Sequence, residues 1–202
     1  MTGAYVRHAL FTAFRVAKFD RGASEEFDHS FEGFFRSFFA ALLSLPIAIL
    51  LTVTQDRIVA DLAANAGRSV AAAAPGMGFW LIEGGAYVVE WVALPLAMIL
   101  IVKLLGASRR YVPFIIAYNW GSCLVYLVMT IPDIAYLLGI TTLKSIAIVY
   151  YGAYAFIATY RWQMARETLQ ISGLNAAAIV ILAALLDVTV DYGSDVLHRI
   201  IA

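Results

Sequence analysis

The sequence predicts an all-α polytopic membrane protein, with five transmembrane helices behind an N-terminal amphipathic interfacial helix. Three observations carry that prediction. Of the 202 residues, 62% are apolar and the mean hydropathy is +0.82, more apolar surface than a soluble domain of this length needs. Four stretches, Ser37–Thr54, Tyr111–Pro132, Ser145–Tyr160 and Thr168–Leu186, carry no charge, and a fifth, Gly78–Leu104, carries only Glu83, Glu90 and Lys103. A helix of about 17–25 residues covers roughly 30 Å of hydrocarbon, so each stretch is long enough or nearly so. Finally, the basic residues between the stretches alternate in density. Residues 1–33 therefore read as a cytoplasmic amphipathic helix and acidic connector. Residues 34–202 read as a five-helix transmembrane domain with spans at 37–54, 78–104, 112–132, 144–161 and 172–190.

The alternation sets an orientation. With the N-terminus inside, ten Lys and Arg residues fall on the cytoplasmic side and four on the other. The positive-inside rule then places the N-terminus in the cytoplasm and the C-terminus outside. The 36 residues before the first apolar run lack a small-residue cleavage pattern, so the first span is expected to act as an uncleaved insertion signal.

Tyr5 to Phe19 has helical spacing of Val6, Leu10, Phe14 and Ala17, widened by Phe11, with Arg7, His8, Arg15 and Lys18 toward the polar side. Such a helix lies in the headgroup plane, and Arg7, Arg15 and Lys18 suit anionic lipid. The plain alternative is a helix packed against the cytoplasmic end of the bundle. The connector Asp20–Gly33 clusters Glu25, Glu26, Asp28 and Glu32, and Asp28 or Ser30 is placed to cap the next helix. Phe34, Phe35, Phe38 and Phe39 form an aromatic collar of the ordinary anchoring kind.

After the first span, Asp56–Ala74 is Ala-rich, with Arg57 and Asp61 at i,i+4 spacing; it predicts a short extramembrane helix stopped by Pro75-Gly76. Pro95 bends the second span and frees the carbonyl of Trp91. The basic turn from Gly106 to Pro113 makes the second and third spans a hairpin, and Pro132 ends or kinks the third.

The residues with chemistry are few. Glu83, Tyr87 and Glu90 share one face of the second span, and Asn119 in the third is the polar group across the hairpin. A carboxylate at the bilayer centre costs about 2.5–3.5 kcal/mol on insertion scales, which makes this quartet a candidate intramembrane polar site. The functional reading is a cation or proton relay; the plain one is a helix-packing polar pair. Asp187, Asp191 and Asp195 align on one helix face near His198, but they span about 12 Å at 1.5 Å per residue, too far for one ion. A solvated acidic face is the simpler reading, with Asp187 placed to bond a neighbouring helix. No metal site and no cofactor is predicted. Cys123 is alone inside an apolar span, and nucleophile-elbow, zinc-protease, Walker and Rossmann motifs do not occur. The zero net charge offers no nucleic-acid surface. The chain is expected not to be an enzyme.

One further pattern lies in the order of motifs. Leu104-Leu105-Gly106 precedes a basic turn and Tyr111-Val-Pro113-Phe-Ile-Ile-Ala-Tyr118. A span then ends in Ile131-Pro132, and Gln170-Ile-Ser-Gly-Leu-Asn-Ala176-Ala opens the last helix. Across residues 35–190 this layout resembles the Yip family of small five-span membrane proteins, in the style of a bacterial member. Eukaryotic members bind Rab-type GTPases and help shape secretory membranes. Their acidic Tyr-Gly-Pro motif is absent before the first span, so that partner is not carried over. The resemblance implies a non-enzymatic membrane scaffold or accessory subunit, packed against a membrane-protein partner or a second copy of itself. The alternative is a small transporter or channel component built on Glu83 and Glu90.

Overall fold

A computed structural model describes residues 1–20, 22–67 and 76–201. They form seven α-helices and, among the described residues, no strand: α1 (Gly3–Ala17), α2 (Phe31–Ser37), α3 (Phe39–Asn65), α4 (Met77–Leu104), α5 (Tyr111–Leu137), α6 (Ile146–Leu169) and α7 (Gly173–Ile201). The membrane class holds. Four helical segments are long and apolar enough to cross a bilayer: the α2–α3 run, α4, α5 and α7. The helix α6 is not among them, because its four tyrosines, Arg161 and Gln163 lower its hydropathy. The helix itself runs past 161 to Leu169.

Other boundaries move for similar reasons. The helix α3 does not stop at Thr54 but runs on to Asn65, so Asp56–Asn65 belongs to it and not to a separate surface helix. Asp61 accepts a hydrogen bond from the Tyr136 hydroxyl at 2.6 Å instead of relying on Arg57. The Pro75 stop and Arg68 lie outside the described residues, as does Arg21; Gly76 stands in extended conformation before α4. Pro132 does not end α5, which continues to Leu137. Tyr150 of α6 bonds Asp133 and Tyr136 bonds Asp61, so the turns around the proline are held from both neighbours. Gly106 turns the chain after α4 in the left-handed region (φ 67°), which a residue with a Cβ adopts only at a cost.

The helix α5 is the axis. It packs on α3 and α6 along its length, on α1 and α2 over its first half, and on α4; α7 closes the ring against α4 and α6. Within its most apolar stretch α5 is 61% buried, whereas the same measure for α7 is 17%. Residues Phe114 to Cys123 are buried without a break. Close approach of α6 depends on Gly121, where a Cβ would run into Met164 and the Tyr160 hydroxyl. Small residues at helix contacts are how membrane bundles gain van der Waals packing without a hydrophobic driving force between helices.

The helix α1 packs on the bundle. Thr2 caps it, and its buried face is Ala9, Thr12, Ala13 and Val16, small residues at helical spacing set against α5 and α6. The Tyr5 ring meets Trp120 edge-on at 6.1 Å, and the Tyr160 hydroxyl reaches the Ala13 carbonyl at 3.4 Å. Phe11 and Phe14 face outward, with the Lys18 ammonium 4.6 Å from the Phe14 ring. Arg15, expected at lipid, is instead turned inward along the chain, pairing with Asp20 at 2.6 Å and Glu26 at 2.5 Å. Arg7 and Lys18 remain exposed.

The acidic connector is a clip. Glu25 pairs with Arg110 of the α4–α5 turn at 3.2 Å, and Glu32 pairs with Arg36. Ser30 caps α2 by accepting from the Gly33 N–H at 2.9 Å. Gly33 stands where a capping box would have Glu, and a Cβ there would collide with the Asp28 carbonyl. Hydrogen bonding from Ser30 holds the Asp28 carboxyl below the ordinary aspartate range.

Candidate functional site

The second half of α5 faces a cavity of about 650 Å³ bounded by α3, α4, α5, α6 and α7. Each helix contributes a stripe at 3.6-residue spacing. From α4 come Glu83, Tyr87, Glu90 and Trp91. From α5 come Tyr118, Ser122, Tyr126 and Met129. Tyr154, Ala158 and Arg161 line it from α6, and Asp187, Asp191 and Ser194 from α7, with Thr52 and Gln55 from α3.

Three polar clusters organise the walls. Glu83 Oε1 accepts from the Ser194 hydroxyl and contacts His198 Nε2, each at 2.7 Å, joining α4 to the far end of α7. Deeper in, Glu90 Oε2 accepts from the Tyr126 hydroxyl at 3.2 Å, joining α4 to α5. Arg161 Nη1 donates to Asp187 Oδ2 at 3.0 Å, joining α6 to α7, while its guanidinium sits 5.4 Å from the Tyr118 ring centre. A polar group in each helix thus has a partner in the next, which is how buried polar side chains are tolerated. Four carboxylates, those of Glu83, Glu90, Asp187 and Asp191, line the space against the one guanidinium of Arg161. Among the described residues no group of three or more His, Cys, Asp or Glu side chains is placed to hold a metal ion.

The aromatic wall is continuous. Trp91 and Tyr126 are nearly parallel, 6.4 Å apart at 4°, and Tyr87 lies 6.2 Å from Trp91 and 6.0 Å from Tyr126. The Tyr87 hydroxyl donates to the Ala41 carbonyl at 2.6 Å, so that ring is pinned to α3.

Of the expected quartet, Glu83, Tyr87 and Glu90 come together and Asn119 does not. Asn119 is fully buried nearer the start of α5, where its Nδ2 donates to the Ser37 hydroxyl at 2.9 Å. The reason is its height in the bundle: it shares a helix face with Tyr126, seven residues on, but lies about two turns closer to the start of α5, where the end of α2 covers it. Arg161, the last residue of the predicted span 144–161, is a wall residue. Asp187 and Asp191, expected on a solvated face, line the cavity, and Asp187 does bond a neighbouring helix. The i,i+4 recurrence of Asp187 and Asp191 and the stripe Tyr118, Ser122, Tyr126 were the available signals; which helix each stripe faces was not.

Comparison of this chain with protein-family models, with curated proteins and with solved structures finds no match. The likeness to the Yip family therefore rests on its short motifs alone.

Proposed function

We propose that this protein binds and passes a cation through the membrane, as a small transporter or channel component without enzymatic activity. The observation that supports this best is the excess of carboxylate over guanidinium around a cavity bounded by five helices. A site of that sign with low-dielectric walls concentrates cations over anions. In this reading α6 is the fifth span, because its charged residue Arg161 is paired inside the bundle with Asp187 instead of being exposed to lipid. The N-terminus is then cytoplasmic and the cavity stands nearer the periplasmic end of a bacterial inner membrane. Unequal helices without an internal repeat favour a component over a stand-alone secondary transporter, which is usually built from paired halves. Cation flux into proteoliposomes, wild type against Glu90→Gln, tests the reading: flux above that of empty vesicles, falling about tenfold in the variant at equal expression, is expected. Flux equal to that of empty vesicles contradicts it.

A second reading, a Yip-type scaffold or accessory subunit, is favoured by one feature. The bundle-bound α1 turns Phe11 and Phe14 outward between exposed Arg7 and Lys18, a surface suited to anionic lipid, a membrane-protein partner or a second copy. Mass spectrometry of the tagged chain purified gently from its native membrane separates the two. A stoichiometric partner supports the accessory role, and a lipid-only particle removes that support.

A further inference from the structure

We infer that the occupant of the cavity is an organic ammonium ion, a quaternary or protonated amine, held against Tyr87, Trp91, Tyr126 and Tyr154 with Glu90 as counter-charge. This rests on the cation reading above and narrows it to a chemical class.

Four observations lead there. The volume of about 650 Å³ is that of a site for a small organic molecule, within the roughly 300–1,000 Å³ typical of ligand pockets, and far exceeds what one bare ion fills. A hard ion needs a shell of oxygen ligands, and among the described residues no three acidic, His or Cys groups gather to supply one. The walls instead offer aromatic faces next to a carboxylate, the arrangement by which ammonium groups are recognised through the ring quadrupole. The protein already uses this interaction with its own cation, since the Arg161 guanidinium lies 5.4 Å from Tyr118, which leaves the other four rings for a ligand.

Trp91, 6% exposed, is built into the cavity wall. Tyr154, in contrast, is more than half exposed, which places a ring of the cage where an entering molecule meets it.

The test is calorimetric titration of the full chain in nanodiscs with benzyltrimethylammonium, beside dimethyl benzyl carbinol, an uncharged molecule of nearly the same shape. Saturable one-to-one binding of the ammonium ion is expected, with the carbinol at least about tenfold weaker, because it keeps the ring and the size but lacks the charge. Trp91→Leu and Glu90→Gln are each expected to weaken binding about tenfold. Since Trp91 also packs the bundle, Tyr154→Leu at the exposed edge serves as the variant whose folding is not in question, with an expected loss of about threefold. Absence of saturable ammonium binding to folded wild type, equal affinity for the carbinol, or wild-type affinity in both ring variants overturns the inference. If sodium or proton flux sensitive to Glu90→Gln persists in that case, the cation reading stands and only the organic class is lost. If flux is absent too, both fail.

Discussion

Two groups of residues on α5 follow opposite rules. One group, Ile115, Ile116, Asn119 and Trp120, is sealed by α1, α2, α3 and α6, and polar groups there are few. The other, Tyr118, Ser122 and Tyr126, borders a space lined by four carboxylates. Close packing explains the first group; a charged lining is what the second adds. Substitutions in the sealed group should therefore reduce stability, and those in the cavity group should reduce activity.

The largest stability effect is expected at Gly121. Leucine there must displace Met164 and Tyr160, both fully buried, and overpacking of this kind costs about 1–3 kcal/mol. A clear drop in melting temperature in nanodiscs checks it, and an unchanged melt would mean that α5 and α6 do not meet as described.

A matched pair sharpens the contrast. Asn119→Ala removes the bond to Ser37 in the sealed group and is expected to lower stability by about 1 kcal/mol with cation flux intact. Tyr126→Phe removes the bond to Glu90 and is expected to alter flux with a smaller change in the melt, because Glu90 keeps access to the cavity. The reverse pattern would exchange the roles of the two groups.

How much of this was readable in advance follows the same division. The spans of α4 and α5 were legible to within a few residues, because apolar length alone marks them. Glu83, Tyr87 and Glu90 were legible as a set because one helix carries all three. Asn119 was misplaced and Arg161 overlooked for one physical reason: periodicity assigns residues to a face of their own helix but not to a neighbour. The charge on Arg161 also marked it as the end of a span, when its partner Asp187, on another helix, keeps it inside. The amphipathic pattern of α1 was legible, but that the small residues Ala9, Thr12 and Ala13 form the face packed on α5 and α6 was not.

The smallest effect is expected from acid at the connector. The Asp28 carboxyl is held below its unfolded value by Ser30, so its contribution to the α2 cap is fully present above the ordinary aspartate pKa of about 3.9. It is lost only as pH falls through the lower, folded value. Slightly faster amide exchange at Gly33 and Phe34 below that range, with the bundle unchanged, checks it.

The most direct test of the central claim is the reactivity of a single thiol in the cavity. Val125→Cys, in a Cys123→Ser background, places that thiol on the lining next to Tyr126, and the native Cys123 is buried and removed as a competitor. Labelling in nanodiscs with a cationic and an anionic methanethiosulfonate reagent then reports both water access and sign. A water-filled, carboxylate-lined site predicts modification by the cationic reagent at least about tenfold faster than by the anionic one, with the preference reduced by Glu90→Gln. No labelling, or equal rates for the two reagents, would contradict a cation site in the core of this bundle.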